Sequence, residues 1–186
     1  TMLRFINQQG QLVDWSEERT QGLPDDVVFL DLYNPTRAEE VKAELWLEHE
    51  LPTREEMEEI EESSRLYVDK ETLYMTAWLP VGLDTAEPET SAITFVLCQK
   101  TLATVRYTDP LTFRTLNDQL RRKSFIPSSS DTVFLFICER IVARIADALQ
   151  NVEGDLKRIS RSIFSADSKK SDGSTDLNEV VKTLGR

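Results

Sequence analysis

The stretch that decides the architecture is Ser130–Phe164, which reads SDTVFLFICERIVARIADALQNVEGDLKRISRSIF. Its apolar side chains recur in steps of three and four, the spacing of one face of a long amphipathic helix with a nearly heptad repeat. At a rise of about 1.5 Å per residue, such a helix spans about 50 Å, more than a small sheet needs as cover. The residues of this stripe are Phe134, Cys138, Ile141, Ile145, Leu149, Val152, Leu156, Ile159 and Ile163.

The two halves of this helix have different predicted roles. Val133–Leu149 is apolar enough to cover a sheet, whereas the part from Val152 onwards carries fewer apolar residues and more charge. We expect the second half to leave the body and to pair with a helix that begins near Thr175. The predicted interface residues are Ile145, Leu149, Val152, Leu156, Ile159 and Ile163.

The preceding residues predict a layered α/β domain, because strands and helices follow one another in short segments. We therefore divide the chain into an α/β domain over residues 1–130 and a helical segment over residues 131–186. For the first of its helices, we expect Val41, Leu45 and Trp46 to form the buried face. The predicted elements are a hairpin of Leu3–Ile6 and Gln11–Trp15, a buried strand Val27–Leu32, helices Arg37–Glu48 and Arg54–Glu62, strands Arg65–Val68, Leu73–Leu79, Ser91–Cys98 and Thr101–Tyr107, and a helix from Asp109 to Arg122.

Composition narrows the possible partners. The formal net charge is −11, which argues against nucleic acid, because phosphate binding requires clustered Lys and Arg. Cys98 and Cys138 both end apolar runs, so we predict buried thiols in a reducing compartment and not a disulfide. The longest apolar runs are far shorter than the roughly 20 residues of a membrane helix.

An acidic segment, Glu55–Glu62, has six glutamates in eight residues. One interpretation is the solvated face of a helix whose Met57 and Ile60 pack inward. The other is that some of these carboxylates bind a hard divalent cation at a subunit boundary, since clustered negative charge is costly unless a cation neutralises it. Thr53 and Glu56 have the spacing of a capping box at the start of this helix.

The sequence offers no recognisable catalytic motif. Its single histidine, His49, lies between two glutamates and is predicted to be a surface residue. The sequence has no nucleophile elbow, phosphate-binding glycine loop or zinc-type Cys/His spacing. A small α/β enzyme is therefore the least favoured class.

Several short segments, taken in their order and spacing, resemble the amino-terminal cytoplasmic domain of the CorA magnesium transporter family, including its zinc-transporting ZntB branch. No single segment is a catalytic motif, and the resemblance covers essentially the whole chain. The segments are Phe29–Thr36 (FLDLYNPT), Leu51–Glu61 (LPTREEMEEIE), Ser64–Tyr67 (SRLY), Leu73–Thr76 (LYMT) and Val105–Pro110 (VRYTDP).

The resemblance implies a three-layer αβα sandwich with a mixed, largely antiparallel sheet, followed by long C-terminal helices, and no enzymatic activity. It implies that the whole protein is a pentamer in the cell inner membrane, with this portion cytoplasmic. The family's Gly-Met-Asn motif and both membrane helices are not in these 186 residues, so we expect them after Arg186. Mg²⁺ is the implied regulatory ligand and transported ion, with Co²⁺, Ni²⁺ and Zn²⁺ as alternatives.

The resemblance also suggests a position for a regulatory cation between subunits. An acid on the family's matching helix corresponds to Glu56, with Glu55 beside it, and its partner acid lies on the stalk helix beyond Arg186. The alternative function, from the near-heptad stripe alone, is a soluble helical adaptor that dimerises through Ile141–Ile163 and has no transport role.

Overall fold

The computed structural model describes residues 1–16, 22–59, 65–83, 85 and 87–167, with the side chains of residues 59 and 162–167 excepted. The predicted helix near Thr175 and the end of the acidic segment, Ile60–Glu62, lie outside the described residues.

One sheet organises the described residues. Its strand order is β2-β1-β3-β7-β6-β5-β4, and every neighbouring pair is antiparallel except β3 with β7, which is parallel. The predicted mixed, largely antiparallel sheet is thereby confirmed. The strands are β1 (Met2–Asn7), β2 (Leu12–Asp14), β3 (Val27–Tyr33), β4 (Leu66–Asp69), β5 (Thr72–Val81), β6 (Glu89–Cys98) and β7 (Thr101–Arg106).

Helices cover both faces of the sheet. On one face lie α1 (Arg37–Leu47) and α2 (Arg54–Glu59), and on the other lie α3 (Leu111–Arg121) and the beginning of α4 (Ser130–Asp167). Because successive side chains of a strand point to opposite faces, Leu30 and Leu32 pack in the α1/α2 layer and Phe29 in the α3/α4 layer. This is the predicted αβα arrangement.

The buried face of α1 differs from the prediction. Leu45 is 69% exposed and Val41 is also exposed, so those two residues do not form the core face. Instead, Glu39, Ala43 and Leu47 face inward at a spacing of four. The helix begins with a capping box, in which the Glu39 carboxylate accepts a hydrogen bond from the Thr36 N–H at 2.7 Å.

Trp46, the third residue of that predicted face, is half-buried and packs against the core in the α1/α2 layer. Its ring meets Phe5 edge to face with centroids 6.3 Å apart. Trp46 thus contacts the sheet from the side, next to the Ala43 and Leu47 stripe.

A buried ion pair joins the two parallel strands. Arg106 of β7 donates from Nε and Nη2 to the two carboxylate oxygens of Asp31 of β3, each at 2.9 Å. The side chains of these residues are 1% and 2% exposed. The Thr104 hydroxyl lies 3.1 Å from the same carboxylate. Such a bidentate pair fixes the geometry of both strands as well as neutralising two buried charges.

The same guanidinium also anchors the start of α3. Its Nη1 donates to Asp109 at 2.9 Å and to the Thr108 carbonyl at 2.7 Å, and its plane lies over the rings of Tyr33 and Phe113. Burial lowers the pKa of Arg106, but its bonds to Asp31 and Asp109 outweigh burial and raise the pKa. Arg106 therefore stays charged and connects the sheet to the helix layer.

Replacing Arg106 with methionine should lower the free energy of unfolding by about 3–5 kcal/mol, because Asp31 would remain buried without its partner. The double variant Asp31→Leu with Arg106→Met should recover most of that loss. Arg37→Met, which removes an exposed ion pair with Glu40, should cost at most about 1 kcal/mol. Urea unfolding measures all three, and equal losses for Arg106→Met and Arg37→Met would contradict this account.

Candidate functional site

The first candidate feature is the part of α4 that extends beyond the sheet. Val133, Phe136 and Ile137 are buried in the α3/α4 layer, and Phe134 and Ile141 pack against it. A six-residue strand such as β7 extends about 20 Å, which about 13 helical residues cover. The helix continues to Asp167, so most of its 38 residues lie beyond that length.

The part of α4 that packs on the sheet ends before Leu149, although the sequence predicts that Val133–Leu149 covers the sheet. Ile145 is already 37% exposed, and Leu149 is 65% exposed. Val152 and Leu156 continue the same exposed stripe at steps of three and four, whereas Ile159 is half-buried. The side chain of Ile163 lies outside the described residues. We call Ile145, Leu149, Val152 and Leu156 the α4 stripe.

Charged pairs run along the same part of the helix. Lys157 bonds Glu153 at 2.5 Å, and Arg158 pairs with Asp155, in both cases between neighbouring turns. Such exposed pairs contribute little stability. They give this part of the helix charged side chains beside the apolar α4 stripe, as is typical of a helix that docks through one face.

The second candidate feature is the beginning of α2, which contains the two predicted metal ligands. The capping box is present: the Glu56 carboxylate accepts from the Thr53 N–H at 2.8 Å, and the Glu56 N–H donates to the Thr53 hydroxyl at 3.3 Å. Met57, one position further, is buried in the core, as predicted. One carboxylate oxygen of Glu56 is therefore used locally, and both glutamates are exposed.

Glu55 lies beside a small network of charges and aromatic rings. Arg54 bonds Glu58 at 2.9 Å, and its guanidinium lies 5.1 Å from the centre of the Tyr107 ring. Glu55 itself has neither a hydrogen bond nor an ion pair with any residue that the structure describes. Its carboxylate is thus available to a ligand or a second chain.

The pKa of Tyr107 is shifted by its burial and by the charged residues around it. Burial, together with the negative charges of Glu40 and Glu55, raises the pKa of Tyr107 to about 12, although Arg54 acts in the opposite direction. The phenol therefore remains neutral at physiological pH.

No group of three or more Asp, Glu, His or Cys side chains is placed to hold a metal within the described ranges. The structure brings Glu55 and Glu56 to one helix end without adding a third ligand from those ranges. Oxygen ligands of this kind suit Mg²⁺, which keeps several waters and needs few protein carboxylates.

The other candidate residues from the sequence, His49, Cys98 and Cys138, are not part of the site at the start of α2. His49 is half-buried, not fully exposed, and its Nε2 lies 2.8 Å from the Thr72 hydroxyl. Cys98 and Cys138 are free thiols, as predicted; Cys98 is buried and Cys138 only half-buried. Burial raises the pKa of Cys98 to about 11, so its thiol is protonated and inert at neutral pH.

The residues that surround these features did not stand out in the sequence. Asp31 interrupts the apolar strand β3 and Arg106 ends β7, each as the only charge of its strand, and that pattern was the available indication of a buried pair. The proximity of Glu40 and Tyr107 to Glu55 depends on the packing of α1, α2 and β7, for which the sequence pattern gives no indication.

Within the ranges that the structure describes, none of the helices combines the length and apolarity required for a membrane span. Residues 24–185 match the family model described as CorA-like Mg2+ transporter protein.

Known relatives are similar over most of this chain. It is 26% identical over 160 residues to the magnesium transport protein CorA of Salmonella typhimurium, covering 86% of this chain and 50% of that protein. The chain thus spans about half the length of such relatives.

The fold is similar to that of the complete CorA magnesium transporter from Methanocaldococcus jannaschii, with a TM-score of 0.68, 14% identity, and coverage of 99% of this chain and 55% of that one. It is also similar to the ZntB cytoplasmic domain from Vibrio parahaemolyticus, with a TM-score of 0.61, 15% identity, and coverage of 85% and 64%. The fold is that of the soluble domain of these transporters, and the family is one of transporters, not of enzymes. The chain belongs to the CorA-like Mg²⁺ transporter family.

The free energy of unfolding should decrease between pH 10 and about pH 12, and Tyr107 should contribute to that decrease. The pKa of the Tyr107 phenol is 10.0 in the unfolded chain and about 12 in the folded one. The stabilisation that results from this difference is fully present below pH 10 and is lost as the pH rises to about 12. Tyr107→Phe should weaken this dependence, measured as the slope of unfolding free energy against pH. If the slope is unchanged in the variant, Tyr107 does not lie in the buried environment near Glu40 and Glu55 that raises its pKa.

Proposed function

We propose that this chain is the cytoplasmic regulatory domain of a CorA-like divalent-cation transporter, and that cations bound between subunits hold the pore closed. The observation that carries the proposal is the family match over residues 24–185, joined to a helix that extends well beyond the sheet with an exposed apolar stripe. Mg²⁺ is the proposed regulatory ligand and transported ion, with Co²⁺, Ni²⁺ or Zn²⁺ as alternatives.

The α4 stripe supplies the mechanical connection in this proposal. Ile145, Leu149, Val152 and Leu156 pack against a following stalk helix and the neighbouring subunit, together with Ile159 and Ile163. Burying the exposed parts of these four apolar side chains is favourable by roughly 0.5–2 kcal/mol each before ordering costs. In the pentamer, α4 transmits movement of the αβα body towards the membrane.

The carboxylates of α2 supply the sensor. Glu55 has a free carboxylate, and Glu56 is held in place by the capping box with one oxygen left for a ligand. A bound cation neutralises these charges in a chain whose formal net charge is −11. The remaining ligands come from waters and from an acid of the stalk helix that follows Arg186.

The same proposal gives the location of each part. The membrane helices of the complete protein follow Arg186 and lie in the cell inner membrane, and the αβα body lies in the cytoplasm. The domain binds no nucleic acid, and its partners are further copies of itself.

The α4 stripe also fits a second function, a soluble adaptor that dimerises without metal. The two functions differ in the segments expected after Arg186 and in the response to Mg²⁺. A complete gene product without two apolar segments of about 20 residues would remove the transport proposal.

In the protein encoded by the complete gene, Glu55→Gln should weaken the Mg²⁺-dependent association of the cytoplasmic domains roughly tenfold, because a charged ligand is lost. Glu56→Gln should act in the same direction while leaving stability nearly unchanged, since glutamine preserves a capping box. Protection from proteolysis, titrated with Mg²⁺, measures both effects.

Glu139→Gln is the matched control, because Glu139 is an exposed glutamate of α4 outside the cluster. It removes the same charge and should leave the Mg²⁺ titration unchanged. If Glu55→Gln and Glu56→Gln both behave like this control, the cation site is not at the start of α2.

A further inference from the structure

Among the strands that the structure describes, β4 lies at one edge of the sheet, an exposed surface that the proposed transport function does not use. All four residues of Leu66–Asp69 are exposed, with Leu66 and Val68 65% and 67% exposed. Natural proteins usually protect such an edge with a short strand, charged side chains, proline or a bulge, because its unpaired backbone groups can bind another strand. Strand β4 has no proline, lysine or bulge, and its protection is limited to its length of four residues and the charge of Asp69.

The hydrogen-bonding pattern shows which backbone groups are open. Lys70 and Glu71 have positive φ angles of 46° and 67°, so β4 and β5 are joined by a two-residue hairpin turn. At the other end of the strand, the Arg65 carbonyl accepts a bond from the Thr76 N–H at 2.8 Å.

Because hydrogen-bonded positions alternate along an antiparallel pair, Arg65, Tyr67 and Asp69 direct their backbone groups towards β5. The N–H and C=O groups of Leu66 and Val68 therefore point outward from the sheet.

The sequence of this edge is complementary to itself when reversed. Arg65-Leu-Tyr-Val-Asp69 carries a cation at one end, an anion at the other and apolar residues between. An antiparallel second copy centred on Tyr67 places Leu66 opposite Val68 and Arg65 opposite Asp69. In that register the outward groups of Leu66 and Val68 form hydrogen-bonded pairs with those of the second copy.

We propose that β4 pairs antiparallel with β4 of a second copy of this chain, about a two-fold axis at Tyr67, and joins the two sheets into one. The interface is isologous, so each favourable pair occurs twice. This inference does not depend on the proposed transport function.

The charged side chains at both ends of the strand form no ion pair within the described ranges. Arg65 is half-buried, and its buried Nε has no hydrogen-bond partner among the described residues. Asp69 is exposed and has no ion pair within the same ranges. A cross-strand pair of opposite charges, placed directly opposite, stabilises a sheet, whereas like charges in that position destabilise it.

The two faces of the edge are also suited to a second strand. On one face, Tyr67 stacks flat on Tyr74 with ring centroids 4.7 Å apart, which holds the side chain at the axis. On the other face, Leu66 and Val68 lie beside Met75 and Leu73 of β5, forming an apolar patch that a second copy would extend. The contact is short, so the pairing is weak and depends on concentration.

Analytical sedimentation at a series of protein concentrations tests the pairing. The proposal predicts that the mass doubles as the concentration rises, relative to the assembly that the chain forms at low concentration. Val68→Pro removes an outward N–H without breaking a bond to β5, and should abolish the doubling. Val68→Thr keeps that N–H and a β-branched side chain, and should retain it. Circular dichroism of both variants checks that the fold is intact.

A charge exchange tests the register. Arg65→Glu or Asp69→Arg alone places like charges opposite one another at two symmetric positions, which should raise the dissociation constant about tenfold. The double variant restores opposite charges and should return the constant to near its original value.

Three results would overturn the proposal: no concentration-dependent doubling of mass, a doubling that survives Val68→Pro, or a double charge variant as weak as the single ones. The last would indicate an edge that binds another strand in a different register or a different partner.

Discussion

The arrangement of the whole domain depends on the buried ion pair between Arg106 and Asp31. It lies on the parallel contact between β3 and β7, where chain segments far apart in sequence meet. Leaving either charge alone in this environment would cost several kcal/mol, so the pair favours one register. Through Asp109 and Phe113 the same guanidinium places the start of α3, and α3 in turn packs with the first turns of α4. The direction in which α4 leaves the body thus rests on an interaction in the centre of the sheet.

Much of this fold follows from local pattern. Alternating apolar residues predict the first hairpin, the run Val27–Leu32 is apolar enough for a buried strand, and the spacing of Phe113, Leu116 and Leu120 is that of the buried face of α3. The prediction for α1 was wrong for Val41 and Leu45, because its apolar residues do not form a single stripe and the side that faces the sheet carries Glu39, Ala43 and Leu47. The point where α4 becomes exposed was also misplaced, since it depends on the length of strands packed beneath it.

The candidate site was predictable only in part. The acidic segment and the Thr53–Glu56 cap could be recognised from spacing alone, and the structure places both glutamates at one exposed helix end. Tyr107 and Glu40 come near Glu55 through tertiary packing, which no local pattern describes. The proposed cation site between subunits could not be derived from local pattern, because its geometry would depend on other chains that pack against α2.

Amide hydrogen exchange on the protein encoded by the complete gene, with and without Mg²⁺, tests the central claim most directly. The account predicts that β3 and β7 are strongly protected in both conditions, because the ion pair holds the body rigid. It predicts that α2 and the part of α4 from Ile145 onwards gain protection when Mg²⁺ is added. Unchanged exchange in both helices at saturating Mg²⁺ would contradict a cation-dependent contact between these domains.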